Sequence, residues 1–498
     1  MAKPPFVNRA SKRTPRLKRP ELARRKPALR ARPLAAITLS CLAAFGLGCE
    51  QASPPPDVKD LNVVLIVLDT TRADAVEGYG GADAHTPTLS KLASEGVLFR
   101  NARTTSAWTL PSHGSIFTAL YPSRHGAHAE GGGIREERTT LSQMLGRTHA
   151  TAGFSENPHI IEAHGFARGF DHFEETWREQ EAHKTPPPTE ARVAKWLEAR
   201  DESEAFFLFV NLMTPHLPYA PPAAQQAIHV PKLDAKIIDN FRGVEEGHAR
   251  LQMMGKLGFK RLDFSILRAL YQAEVSYADE RVATILRSLG PASVLDNTLV
   301  VVVSDHGENI GDHGLMEHQF SLHESLLRVP LIMRLPGTFT RGSFRDEPVQ
   351  LVDIMPTILD VLEWPTEQWP AMEGRSLIGL PISMERPVYA EYMRPGGQEK
   401  LFHAIDPNFD FSKFNRRLKS IQVKNLKLIT SDSGGRELFN LATDPDERRN
   451  LAQRQPEDAD RLEARLLDWA GGWEPGDAES IDLDQQTEDA LRELGYIE

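Results

Sequence analysis

At 498 residues the chain is long enough to bury a large core, and 40% hydrophobic with 26% charged residues is ordinary for a folded globular body. The net charge of −11 is unevenly spread: residues 1–48 hold twelve Lys/Arg against one acid, so the remainder carries −22. An acidic body excludes nucleic acid as the main partner, because phosphate binding draws on clustered Lys and Arg.

The basic head leads into an apolar run from Leu34 to Gly48 that ends at Cys49. A basic flank, a short apolar stretch and small residues describe an export signal over 1–48, too short for a spanning helix. Gly-Leu-Gly-Cys resembles a bacterial lipobox, with Gly46 where leucine is usual. The expected product is an exported, cell-envelope protein held to a membrane by a lipid on Cys49; plain secretion is the alternative. Residues 49–60 read as a Pro-rich tether. The two cysteines, Cys41 and Cys49, both lie in the head, so the body has no thiol for a disulfide, a metal or a nucleophile.

NVVLIVLD is a continuous apolar, β-branched run, as expected of a strand buried on both faces, and it closes on Asp69. TPTLSKLASEG predicts a helix, with Thr86 to cap it, Pro87 to open it and Gly96 to end it. PSHGSIFTAL predicts a second helix entered through Pro111. FFLFVNLM and TLVVVVSD are further buried strands, the latter closing on Asp305 with His306 beside it. KTPPPT near 186 reads as a surface loop, and the polar, weakly periodic stretch 222–265 as an insertion near the substrate cleft. From about 383 the patterning shortens (PVYAEYM, KSIQVKNLKLIT), which predicts a small antiparallel sheet with DADRLEARLLDWA as an amphipathic helix against it. The fold class is therefore α/β with a central, mostly parallel sheet over 61–382, plus a small C-terminal α+β part over 383–498.

In open α/β sheets, ligands bind at the carboxyl ends of the strands. Asp69, Asp305 and His306 there would suit a divalent cation, although an Asp after a strand, taken singly, often only caps a turn. Thr109 falls at or just before a helix N-terminus, where free N–H groups favour an anion. A hydroxyl there is either a nucleophile or only the helix cap.

The ordered motifs VLDTTRAD (67–74), TPTLSKLASEGVLF (86–99), TLPSHGSIFTALYPSRHG (109–126), NLMTPHLPYAPP (211–222), SDHGENIGDHGLMEH (304–318), LLRVPLIMR (326–334) and ELFNLATDPDERRNLA (437–452) resemble the sulfatase family of the alkaline-phosphatase superfamily. The resemblance implies an alkaline-phosphatase-like fold and one divalent metal held by Asp69, Asp305 and His306, with Thr109 as nucleophile touching it. It also implies His216 on the substrate anion, His318 helping the leaving group depart, and Asn157 and His159 as substrate-binding residues. Arg124 and His125 would brace the fold.

The chain also departs from the family pattern. Thr109-Leu110-Pro111-Ser112-His113 stands where the family reads Cys-x-Pro-Ser-Arg, so a formylglycine nucleophile is excluded by composition. What remains resembles relatives with an unmodified threonine, among them phosphoethanolamine transferases. The expected activity is metal-dependent cleavage of a sulfate or phosphate ester on a small molecule, glycan or lipid. A phosphoryl transferase and a catalytically silent glycan-binding lipoprotein are the alternatives. Asp69-Thr70 replaces the usual pair of acids, and His306 the usual Asn; fewer acids and one imidazole favour Mn or Zn over calcium, the family default.

Overall fold

A computed structural model describes residues 59–497, except 82, 129–131, 180–188, 231–232, 380–381, 394–396 and 472–480. The export segment, residues 49–58 of the tether with the expected lipid site Cys49, and most of the KTPPPT loop lie outside the described residues.

Eight strands form the central sheet: β1 (Asn62–Leu68), β2 (Val97–Phe99), β3 (Ala150–Ser155), β4 (His172–Glu175), β5 (Phe206–Leu212), β6 (Thr298–Ser304), β7 (Leu331–Arg334) and β8 (Ser343–Arg345). Their order is β8-β2-β7-β6-β1-β5-β3-β4. The five strands from β6 to β4 run parallel, and β7 is antiparallel to both its neighbours. All seven residues of β1, β5 and β6 are buried, which accounts for their unbroken apolar runs: helices cover both faces, so no alternation is needed.

The helix Pro87–Glu95 forms as expected, with Pro87 in its first turn and Thr86 at the N-cap. The Thr86 side chain makes no cap bond; its hydroxyl accepts instead from the Glu77 backbone N–H. Gly96 follows this helix, and a Cβ there would lie 2.2 Å from the Met333 carbonyl oxygen, so only glycine lets β7 approach. The 222–265 stretch is largely helical, with helices at Ala223–His229, Ala235–Arg242 and Glu246–Met253 before the 28-residue helix Arg261–Ser288.

The C-terminal sheet comprises β9 (Val388–Tyr392), β10 (Leu418–Val423), β11 (Leu426–Ser431) and β12 (Arg436–Asn440), each antiparallel to the next. The helix Pro456–Ala470 lays Ala459, Leu462 and Leu466 on Ile421, Leu428 and Leu438, a separate small core. The described residues belong to one compact unit, Pro54–Glu498.

Candidate active site and metal centre

Register builds the site. β1 and β6 are adjacent and parallel, with Leu68 opposite Ser304, so the next residues, Asp69 and Asp305, emerge side by side at the carboxyl edge. β5 and β3 extend the same edge, with Asn211 opposite Ser155 and Asn157 just beyond. The turn after β1 is strained: Thr70, a β-branched residue, has φ +50°. It is held from two sides, its N–H donating to Asp305 Oδ1 (3.2 Å) and its carbonyl accepting from the Tyr271 hydroxyl (2.8 Å). Tyr271 lies on the long helix, which thereby fixes the Asp69 turn.

Thr109 is the first residue of the helix Thr109–Thr118, and Trp108 takes the N-cap position. The helix-cap alternative for Thr109 therefore fails. Its hydroxyl is fully buried and lies 3.2 Å from His306 Nε2. His306 Nδ1–H donates to the Gly307 carbonyl (2.9 Å), so Nε2 keeps its lone pair. That nitrogen is 3.6 Å from Asp69 Oδ1 and 3.3 Å from Asp305 Oδ2. Those two oxygens are buried without a hydrogen-bond donor. One ligand atom from each of Asp69, Asp305 and His306 lies within 4.8 Å of the others.

Burial pushes the Asp69 carboxyl well above its ordinary range, and burial together with the charge of Asp69 does the same to Asp305. Burial lowers His306. Two such carboxylates facing a neutral imidazole lack a counter-charge, and a divalent cation would supply one. The donor set fits the metal that the sequence implies.

The other expected residues fall around this centre. His318 Nδ1 is 3.5 Å from Glu308 Oε1, and its ring stacks on His306 at 4.5 Å. His216 lies 5.0 Å from His318, ring to ring, and its Nδ1–H donates to the Leu217 carbonyl. Burial lowers both His216 and His318 to about 3, so neither is charged near neutrality. His159 packs edge-on against Trp108. The Asn157 amide donates to Asp69 Oδ2 at 2.6 Å, so it engages a candidate ligand directly. His125 reaches the Pro111 carbonyl (3.1 Å) and Arg124 the Trp469 carbonyl (3.0 Å), both as braces. A Cβ on Gly114 would sit 2.4 Å from the His125 ring, so only glycine lets that brace approach.

Three residues were not assigned a role from sequence. His113, one turn beyond Thr109, places Nδ1 3.0 Å from the Thr109 carbonyl and 3.4 Å from Asp305 Oδ2. Its i+4 spacing from Thr109 was the available signal. Glu308 lies inside the SDHGEN motif without a readable partner. Tyr496 places its hydroxyl on His318 and His216, and nothing local marks it.

A helix that begins with a buried hydroxyl beside paired carboxylates on the edge of a parallel sheet is an arrangement suited to an anionic ester. The chain belongs to the sulfatase family: that family's model matches residues 61–363, and a model for the C-terminal region of N-sulphoglucosamine sulphohydrolase matches 311–469. It is a hydrolase of sulfate- or phosphate-type esters. An arylsulfatase of Clostridium perfringens is 25% identical over 487 residues, covering 83% of this chain and 95% of the relative. A phosphonate monoester hydrolase of Agrobacterium radiobacter superposes with a TM-score of 0.66 at 20% identity, covering 82% of this chain and 95% of that one. A structure in complex with its substrate D-glucosamine-2-N,6-O-disulfate superposes with a TM-score of 0.65 at 20% identity, covering 86% and 99%.

Proposed function

We propose that the protein cleaves sulfate or phosphate esters through direct attack by Thr109, without formylglycine. The observation that carries this reading is the Thr109 hydroxyl, 3.2 Å from His306 Nε2 at the start of a helix, in a body without a thiol. Asp69, Asp305 and His306 would hold one divalent cation beside Thr109, and two carboxylates with one imidazole favour Mn or Zn. Such a cation, when bound, supplies Lewis-acid polarisation of the ester and acidifies a neighbouring hydroxyl.

The chain's own residues then divide the work. The helix N-terminus holds the anion, and His216 donates to it from Nε2 once the arriving charge lets that nitrogen take up a proton. Thr109 gives up its hydroxyl proton to solvent, and its Oγ forms a bond to phosphorus or sulfur as the ester oxygen leaves on the opposite side; the water of the second step returns a proton to that Oγ. His318 Nε2 gives that oxygen a proton; burial alone favours neutral His318, and the arriving anion supplies the charge that lets it become protonated. Water then takes the anion from Thr109. Within this reading Asn157 orients Asp69, and His159 walls the anion pocket. We further propose that the protein is exported and lipid-anchored through Cys49.

The test uses aryl sulfate, phosphate monoester and phosphonate ester substrates. Thr109→Ala should lower turnover by several orders of magnitude, and Thr109→Ser should keep part of it. Quenching a slow substrate should leave an adduct on the peptide containing Thr109. Near-full activity in Thr109→Ala would mean that water attacks directly.

A further inference from the structure

The side chains proposed to meet the substrate are enclosed: Thr109 is 0% exposed, His318 2% and His216 7%. The group closing them off comes from the far end of the chain. Helix Gln485–Glu493 leads through Leu494 and Gly495 to Tyr496, whose hydroxyl lies 2.6 Å from His318 Nε2 and 3.3 Å from His216 Nε2. The Tyr496 ring meets His159 edge-on at 4.4 Å and lies 6.1 Å from Trp108. His216 spends its Nδ1–H on the Leu217 carbonyl, so Nε2, the nitrogen turned to the Tyr496 hydroxyl, is where it must take up a proton before it can donate to an anion. Tyr496 therefore sits on the atoms that an ester must reach.

The segment is held by polar contacts at its two ends and by Leu491, Leu494 and Tyr496, which are buried in the main core. At the entry, Arg178 bonds Asp484 Oδ2 (3.0 Å) and the Thr487 hydroxyl (3.1 Å), and Asp484 is largely exposed. At the exit, the Gly495 carbonyl accepts from Gln398 (2.9 Å) and from Arg250 (3.4 Å). Arg250 lies on helix Glu246–Met253, so the insertion expected near the cleft clasps this segment. Between the ends, the helix buries only Thr487 and Leu491. Elements with few buried contacts open at the lowest free energy in a fold.

We infer that residues 484–497 are a self-docked gate, which places Tyr496 on His216 and His318 and must lift before an ester binds. This rests on the reading of those two histidines as substrate-facing. The docked segment and the ester compete, so apparent affinity falls by the fraction of molecules that are open.

Gly495→Val tests the gate without altering the site. Gly495 has φ +68°, and a Cβ there would lie 2.6 Å from Arg250 Nη2 and 3.1 Å from the Glu246 Cβ, so the exit clasp breaks. Two readouts apply to the full chain: the rate at which diethyl pyrocarbonate modifies His216 and His318, followed by peptide mass, and Michaelis kinetics with 4-nitrophenyl sulfate and phosphate. Modification should be about tenfold faster in Gly495→Val, with KM lower by a similar factor and kcat unchanged. Tyr496→Phe should move both in the same direction by less. Tyr496→Ala supplies the comparison if Gly495→Val does not fold, as judged by its thermal transition. Equal modification rates in folded wild type and variant overturn the gate. A loss of kcat in Tyr496→Phe at constant KM also overturns it, by assigning Tyr496 to the chemistry. Gated modification with no hydrolysis in any form would sink the hydrolase reading and leave the gate standing.

Discussion

At the scale of single residues, Asn157 makes a contact in the fold that its motif does not announce. Sequence resemblance sets it on the substrate; in the structure its Nδ2 donates to Asp69 Oδ2 at 2.6 Å. That bond occupies one oxygen of Asp69 and leaves Oδ1 facing His306. Groups that orient a ligand in this way affect metal affinity more than folding. Asn157→Ala is therefore expected to weaken Mn or Zn binding by about 10–100-fold, measured by calorimetric titration of the purified protein. Undiminished metal affinity, with only KM raised, would return Asn157 to the substrate. His113 belongs to the same scale. Its ring reaches both the Thr109 carbonyl (3.0 Å) and Asp305 Oδ2 (3.4 Å).

At the scale of elements, Glu324 joins the central sheet's surroundings to the C-terminal sheet. Its carboxylate accepts from Arg103 Nη2 (2.7 Å) and from Lys427 Nζ (2.9 Å) on β11. Burial alone would raise Glu324, but Arg103 and Lys427 outweigh it and hold the carboxyl well below its ordinary range. A carboxyl depressed by folding stabilises the fold fully above its unfolded value of about 4.3. That stability is lost as pH falls from there towards the folded value. Removing one partner of a buried charge cluster costs about 3–5 kcal/mol. Glu324→Gln should therefore unfold at markedly lower urea concentration at pH 7, with the gap narrowing as pH falls below about 4. A gap independent of pH would show that the side chain acts through packing and not through its charge.

At the scale of the whole molecule, the central question is where the protein works. No helix among the described residues is long and apolar enough to cross a membrane. If Cys49 is lipidated, the native protein should partition into detergent and carry acyl chains at that residue, and Cys49→Ala should be released in soluble form. A Cys49→Ala protein still held at the membrane would contradict the anchor. The charge distribution agrees with such a division, a basic head preceding an acidic body.

Much of this molecule was legible in the sequence because the relevant signals are local. The buried strands β1, β5 and β6 announce themselves as unbroken apolar runs, and two of them stop at an acid. Pro87 and Pro111 mark helix entries, and the two cysteine positions alone remove thiol chemistry from the body. The helices at 223–253 were not legible: their periodicity is weak, and much of such a helix's stability comes from packing rather than propensity. Only the tertiary structure decided that Leu68 pairs with Ser304, which sets Asp69 beside Asp305, and that Asn157 reaches Asp69. It alone brought Tyr496 onto His216 and His318, which lie 280 and 178 positions away in sequence. Strand register and tail docking are sums of contacts between distant residues, and no short stretch of sequence contains both partners of such a contact.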